Sequence, residues 1–171
     1  MADRIVSADD ILTKVGINEG FILLEVCFGK SDFTLPLARR ISQGGRLYIF
    51  DAQNPAEPNT EALSSIAESK EHTLMKNVKG VKGNANQIFL PQRSIQIILL
   101  PFTLHKVQEK TKLLQRLLPL TVQDGILIIL EWTKNINKEN VSRYCKESGW
   151  WLEQHLALSP LLFAVIASKK R

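Results

Sequence analysis

Glu25, Gly29 and Asp51 are the residues whose types and spacing first suggest chemistry. Glu25 lies at the end of an apolar run, Phe21 to Val26. The longer segment LLEVCFGKSDFTLPLARRI (Leu23 to Ile41) reads as a strand that hands a phosphate- or nucleoside-binding loop to a helix. Loops of that kind usually carry several glycines, and this one carries Gly29 alone. Asp51 stands at the C-terminal end of a second apolar run, Arg46 to Phe50. Cys27 lies in the same loop, ahead of a helix start. Such a position lowers a thiol pKa, and the plainer alternative is a small residue in a tight turn. No GxSxG, Walker loop, HExxH or Cys/His ligand cluster is present, and His72, His105 and His155 are scattered. No metal is therefore expected.

The elements that would position these residues follow from periodicity and turn chemistry. Ser7, with Asp10 three residues on, predicts a helix N-cap, and Ala8 to Val15 a short helix. Phe21 to Val26 is a continuous apolar run, too short for a helix and suited to a strand buried on both faces. Asp32 to Ser42 predicts a helix with Phe33, Leu37 and Ile41 on one side, ended by Gly44-Gly45. Strands are then predicted at Arg46 to Phe50, Val78 to Val81, Ser94 to Leu100 and Ile126 to Glu131. Helices are predicted at Thr60 to Ser69, His105 to Leu118 and Asn137 to Ser148, and a turn at Asp124-Gly125. A closing hairpin is expected from Trp150 to Leu158 and Leu161 to Ser168. Alternation of buried strands and helices implies an open α/β sheet covered on both faces, with ligands at the carboxyl ends of the strands.

The 171 residues suit one domain over 1–171, with 44% hydrophobic and 23% charged residues. No apolar run reaches the roughly 18 residues of a membrane-spanning helix. The first ten residues, MADRIVSADD, lack an apolar signal core. The two cysteines, Cys27 and Cys145, make no CxxC, which is consistent with a reducing cytoplasm. The net charge of +5 permits an anionic partner.

The stretches VGINEGFILLEVCFGKSDFTLPLARRISQGGRLYIFDAQ, VKGNANQIFLPQRSIQIILLPFTLHKV and LLPLTVQDGILIILEW together resemble the class I S-adenosylmethionine (SAM)-dependent methyltransferases. The likeness is to the small type 11 and ubiquinone/menaquinone-biosynthesis branch, and it covers nearly the whole chain. The resemblance implies a Rossmann-like, doubly wound seven-stranded α/β sheet, mostly parallel, with an antiparallel strand in the C-terminal hairpin. It also implies SAM as cofactor. In that family the first strand ends in E/D-x-G-x-G-x-G, matched here by Glu25, Val26, Cys27, Phe28, Gly29, Lys30 and Ser31. Glu25, Cys27 and Gly29 would then flank the methionine part, and Asp51 would accept the ribose hydroxyls with Ala52 and Gln53 beside the adenine. Asn84 would offer its side-chain carbonyl, and Ala85 its amide, to the adenine. Leu99 to Thr103, Leu100 among them, would pass under the methionine part.

Cys27 and Ser31 stand where the family has glycine, and Asn84 and Gln96 where it often has an acid. His105, in LHKV, is either a general base or an exposed helix-start residue, and the second reading is adopted. No catalytic residue is assigned, because methyl transfer from a sulfonium asks mainly for alignment. The acceptor is expected to be a small molecule, and Trp132, Phe102, Trp150 and Trp151 are candidate aromatic walls. The alternatives are a non-catalytic interaction module and a basic module for RNA, the latter from the groups Arg39-Arg40, Lys76/Lys79/Lys82, Lys106/Lys110/Lys112/Arg116 and Lys169-Lys170-Arg171. A homodimer would complete an open site.

Overall fold

The structure, a computed structural model, describes residues 6–41 and 44–169. The apolar runs form seven strands: β1 (Ile22–Cys27), β2 (Arg46–Asp51), β3 (Val78–Val81), β4 (Ile95–Pro101), β5 (Thr121–Trp132), β6 (Trp150–Ser159) and β7 (Leu162–Lys169). Five helices lie between them: α1 (Ala8–Lys14), α2 (Thr34–Ile41), α3 (Thr60–Glu68), α4 (Lys110–Leu117) and α5 (Lys138–Glu147). The strands make one sheet of order β3-β2-β1-β4-β5-β7-β6. β1 to β5 pair in parallel, and β7 runs antiparallel between β5 and β6. This is the doubly wound, Rossmann-like α/β sheet with the antiparallel C-terminal hairpin that the sequence implied.

Alternation along the strands sends side chains into two cores. Leu23, Leu47, Ile49, Ile97, Leu99 and Ile128 pack under α1, α2 and α3. Leu24, Val26, Phe50, Ile98, Leu100 and Ile129 pack under α4 and α5. Burial on both faces explains why β1 and β4 read as unbroken apolar runs. The chain leaves β1 toward β2 and β3, then returns to β4 on the other side of β1. The order of strands therefore switches between β1 and β4, and the carboxyl ends of both open onto one edge.

Local chemistry sets the ends of these elements. Ser7 Oγ accepts the Asp10 amide at 3.1 Å, and Asp10 reaches back to the Ser7 amide at 3.4 Å, which closes a capping box. Asn59 caps α3, and Asn137 caps α5. Ser42, expected to end the second helix, and Lys170 and Arg171 of the terminal basic group lie outside the described residues.

Two expectations are corrected. The single helix expected from His105 to Leu118 is a short 3-10 turn at Leu104–Lys106 followed by α4 from Lys110. The break falls at Val107, whose backbone is extended, and the turn before it is held by the Leu104 and His105 amides on Glu131. The turn expected at Asp124-Gly125 lies inside β5. β4 advances from Ile95 to Ile97 while β5 advances from Thr121 to Ile126, so the extra residues bulge out of the ladder. Gly125 sits in that bulge, where a Cβ would fall 2.3 Å from Thr121 Cγ2.

The central strands carry the hydrophobic load. Leu99, wholly buried on β4, is the clearest probe of it. Leu99→Ala is expected to cost about 2–5 kcal/mol in urea unfolding with an unchanged m value.

Candidate functional site

Glu25 is wholly buried on β1, on the face covered by α2. A carboxylate there must be satisfied by hydrogen bonds. Ser31 donates its hydroxyl to Glu25 Oε1, and Thr34 donates its own to Oε2 at 2.8 Å. The same Ser31 oxygen accepts the Phe33 amide at 3.1 Å. Burial pushes the Glu25 carboxyl above the usual carboxylate range, and the Ser31, Thr34 and Cys27 side chains pull it back. Cys27 is buried as well, and its thiol is pushed up, first by that burial and then by Glu25. The lowered thiol pKa weighed for Cys27 is therefore overturned. Burial outweighs any effect of a helix start on this thiol, and the small-residue reading stands.

Gly29 is held from both sides. Its amide donates to Asp51 Oδ1 at 3.0 Å, and its carbonyl accepts from Asn59 Nδ2 at 2.8 Å. Its φ is +77°, and a Cβ there would stand 3.0 Å from Gln53 Oε1. The left-handed backbone favours glycine at this position, while the Gln53 side chain could give way to a Cβ. Asp51 lies directly opposite Cys27 in the β1–β2 register and is 8% exposed. Oδ1 also accepts the Gln53 amide at 2.9 Å. Among the described residues Oδ2 takes no hydrogen bond. The Ala52 amide is spent on the Cys27 carbonyl at 2.8 Å, tying the two strand ends together. Glu25, Cys27, Gly29, Asp51 and Ala52 are thus brought into one cluster at the ends of β1 and β2.

The loop after β3 differs in detail from expectation. Asn84 Oδ1 accepts the amides of Asn86 at 2.8 Å and Gln87 at 2.9 Å, so both lone pairs serve an internal turn. Its side-chain carbonyl is not available to an adenine. The Ala85 amide has no partner among the described residues. Arg116 of α4 reaches over this loop, with Nη1 2.5 Å from the Asn84 carbonyl. Its Nε is buried without a partner, and burial lowers the guanidinium's pKa.

Leu100 points into the packed core under α4 and α5 and is wholly buried, so its side chain cannot face a ligand. The backbone after it does open onto the edge. Phe102 has a φ of +54°, costly for a bulky residue by about 1–3 kcal/mol. Its amide is anchored to the Leu130 carbonyl at 2.9 Å, and its ring stacks on Trp132 with centroids 5.3 Å apart and planes 13° apart. The Phe33 ring packs against Phe102 in a tilted arrangement, with centroids 5.8 Å apart and planes 58° apart. Thr103 Oγ1 donates to the Val26 carbonyl at 2.9 Å and fixes β4 to β1. Of the other expected walls, Trp150 is buried with Nε1 on the Leu114 carbonyl at 3.0 Å. Trp151 is exposed at the far end of the sheet, beside Gln123 and Lys169.

His105 corrects the exposed-helix-start reading. Its ring Nδ1 lies 2.7 Å from Glu131 Oε2, and its amide donates to Glu131 Oε1 at 3.0 Å. Glu131 is wholly buried at the end of β5, and that burial raises its carboxyl pKa, with His105 pulling the other way. Sequence reading missed Ser31, Thr34, Asn59 and Glu131 as partners. The one local signal was an acid closing an apolar strand, present at Glu131 as it is at Glu25. Gln96 lies away from this edge, its Oε1 accepting the Ile22 amide at 2.8 Å at the start of β1. Among the described residues no group of three or more His, Cys, Asp or Glu is placed to hold a metal. No helix among them is long and apolar enough to cross a membrane.

The model of the ubiE/COQ5 methyltransferase family matches residues 5–151. The demethylmenaquinone methyltransferase of Geobacillus stearothermophilus is 28% identical over 123 residues, 71% of this chain and 50% of that protein. The ubiquinone/menaquinone biosynthesis C-methyltransferase UbiE of Idiomarina loihiensis is 23% identical over 124 residues, 71% of this chain and 47% of that protein. The chain spans about half the length of the curated relatives it matches. Among solved structures, a SAM-dependent methyltransferase from Aquifex aeolicus superposes with a TM-score of 0.80 at 22% identity, covering 95% of this chain and 89% of that one. The [4+2]-cyclase SpnF superposes with a TM-score of 0.74 at 13% identity, covering 95% of this chain and 80% of that one. Both share the fold.

Ser31 replaces a glycine yet satisfies a buried carboxylate. Restoring glycine is therefore expected to destabilise. Ser31→Gly should lose about 1–3 kcal/mol in chemical denaturation, the cost of leaving Glu25 Oε1 unpaired.

Proposed function

The chain belongs to the ubiE/COQ5 methyltransferase family, and from that membership we propose that it is an enzyme that moves the methyl group of SAM onto a small-molecule acceptor. The observation that carries this reading is Asp51. It stands at the tip of β2 with Oδ1 pinned by two loop amides and Oδ2 unpaired, the arrangement that receives a vicinal diol. The donor set around it suits the cofactor. Gly29 brings no side chain to the loop, the Ala85 amide, without a partner among the described residues, is open for an adenine nitrogen, and Glu25 places a carboxyl beside the loop that would hold the methionine part. Asn84 serves this site by shaping the turn that presents Ala85, through its own bonds to Asn86 and Gln87.

The sulfonium supplies an already activated methyl group. The chain's task is then to hold donor and acceptor in line and to exclude water. Phe102 and Trp132, stacked at the ends of β4 and β5, give an aromatic wall against which a planar ring would lie. The relatives named for demethylmenaquinone and ubiquinone/menaquinone methylation favour a reduced quinone-type ring as acceptor and a ring carbon as the methylated atom. Phe33 packs against Phe102 and extends the aromatic cluster.

Calorimetric titration with SAM and with its demethylated product tests the cofactor half. Micromolar binding is expected, weakened at least tenfold by Asp51→Asn, a loss of about 1.4 kcal/mol or more. Absence of heat with the wild-type chain would defeat the reading. Transfer of labelled methyl to dithionite-reduced demethylmenaquinone tests the acceptor half, and no incorporation above a SAM-only control would remove the quinone-type ring.

A further inference from the structure

Glu131 is wholly buried, and its interactions converge on one short stretch of chain. One oxygen accepts the His105 amide at 3.0 Å, the other faces His105 Nδ1 at 2.7 Å, and the Leu104 amide also acts on the carboxyl. Capping the 3-10 turn at Leu104–Lys106 would need only one of these oxygens, and a neutral Asn or Ser would do it without burying a charge. The second oxygen has a separate effect, because it fixes the imidazole. With a carboxylate on Nδ1, the ring proton sits there and the lone pair is on Nε2. Among the described residues Nε2 meets only the Asn135 side-chain amide, at the long distance of 3.4 Å, and Asn135 is exposed. The His105 side chain keeps 19% of its surface open. The pair lies at the carboxyl ends of β4 and β5. Glu131 is next in the chain to Trp132, and His105 is three residues beyond Phe102, the two rings that form the proposed acceptor wall.

We propose that His105 is a catalytic residue that takes a hydroxyl proton from the acceptor ring at Nε2, and that Glu131 is the residue that positions it. The inference rests on the methyl-transfer reading of the same site. As the methyl carbon leaves sulfur, the C–S pair stays on sulfur and the new C–C bond forms from the ring's electrons. The O–H pair of the acceptor's hydroxyl becomes the C=O π bond as a ring π pair makes the new C–C bond, and the hydroxyl proton goes to Nε2. The proton on the newly methylated carbon then passes through water to that oxygen, and its C–H pair restores the aromatic ring. The imidazolium then gives its proton to water. No oxidant or further co-reactant is needed. Glu131 stabilises the imidazolium while it lasts, as a buried carboxylate on Nδ1 does for any imidazole that must gain a proton.

The test uses 4-nitrocatechol, whose visible spectrum reports its ionisation, added to the full chain in the presence of demethylated SAM. Wild type is expected to shift the bound probe to its ionised form. His105→Gln keeps an amide beside Glu131 but has no base, and should abolish the shift. His105→Ala should abolish it too, and added imidazole should restore it. Glu131→Gln should reduce it several-fold. SAM calorimetry and thermal melting on the same variants separate this from misfolding. An equal shift in wild type and His105→Gln, or none in wild type, overturns the proposal. Loss of SAM heat in wild type would instead defeat the methyltransferase reading, and the probe spectrum would still decide whether His105 accepts a proton.

Discussion

Parallel pairing of β2, β1, β4 and β5 is the constraint on which the site depends. Parallel strands in register end on the same edge of a sheet, and here that edge collects Cys27 with Asp51 and Pro101 with Leu130. The switch in strand order between β1 and β4 splays the loops that leave them. A shift of one residue in β2 would carry Asp51 to the other face and leave the loop amides of Gly29 and Gln53 without their acceptor. The two apolar cores enforce the register, since each strand between them has no face it can turn to water.

Once the strand ends are set, the loops must be held, and in this chain hydrogen bonds replace conformational freedom. A loop with several glycines approaches a ligand closely but pays entropy when it orders. Here Gly29 alone provides the close approach. Its amide and carbonyl are tied to Asp51 and Asn59, and Ser31 spans Glu25 and the Phe33 amide. Such a loop is ordered before any ligand arrives, which lowers the cost of binding. The strained backbone of Phe102 fits the same pattern, since the stack on Trp132 and the bond to Leu130 offset it.

Most of the fold was legible in the sequence because buried parallel strands announce themselves as short apolar runs between helical periods. All seven strands and the hairpin fall where those runs lie. Legibility failed where tertiary contacts override local signals. Asp124-Gly125 has the composition of a turn, yet β4 and Thr121 press it into a bulge. The helix expected from His105 is interrupted at Val107, after a turn whose His105 amide is held by Glu131 of β5. In the candidate site, the placement of Glu25 and Asp51 was legible from the apolar runs they close, and that of Gly29 from the loop that follows β1. The function of Ser31 could not, because a serine in place of a glycine looks like a loss until its hydroxyl is seen on Glu25. Asn84 failed the other way, its carbonyl looking free until the Asn86 and Gln87 amides are counted. His105 looked exposed because its partner lies 26 residues away on another strand.

The fold itself decides little about chemistry. A SAM-dependent methyltransferase and a [4+2]-cyclase superpose on this chain almost equally well. What distinguishes outcomes on such a sheet is the set of groups at the strand ends, and this chain divides them in two. The ends of β1 and β2 carry the Asp51 carboxylate beside a loop tied down by hydrogen bonds, which suits a polar, hydroxyl-bearing ligand. The ends of β4 and β5 carry stacked rings and an imidazole oriented by a buried acid, which suit a planar partner that gives up a proton. Thr103, bonded from β4 to the Val26 carbonyl of β1, adds a buried side-chain tie to the parallel ladder that joins the two halves at the switch point.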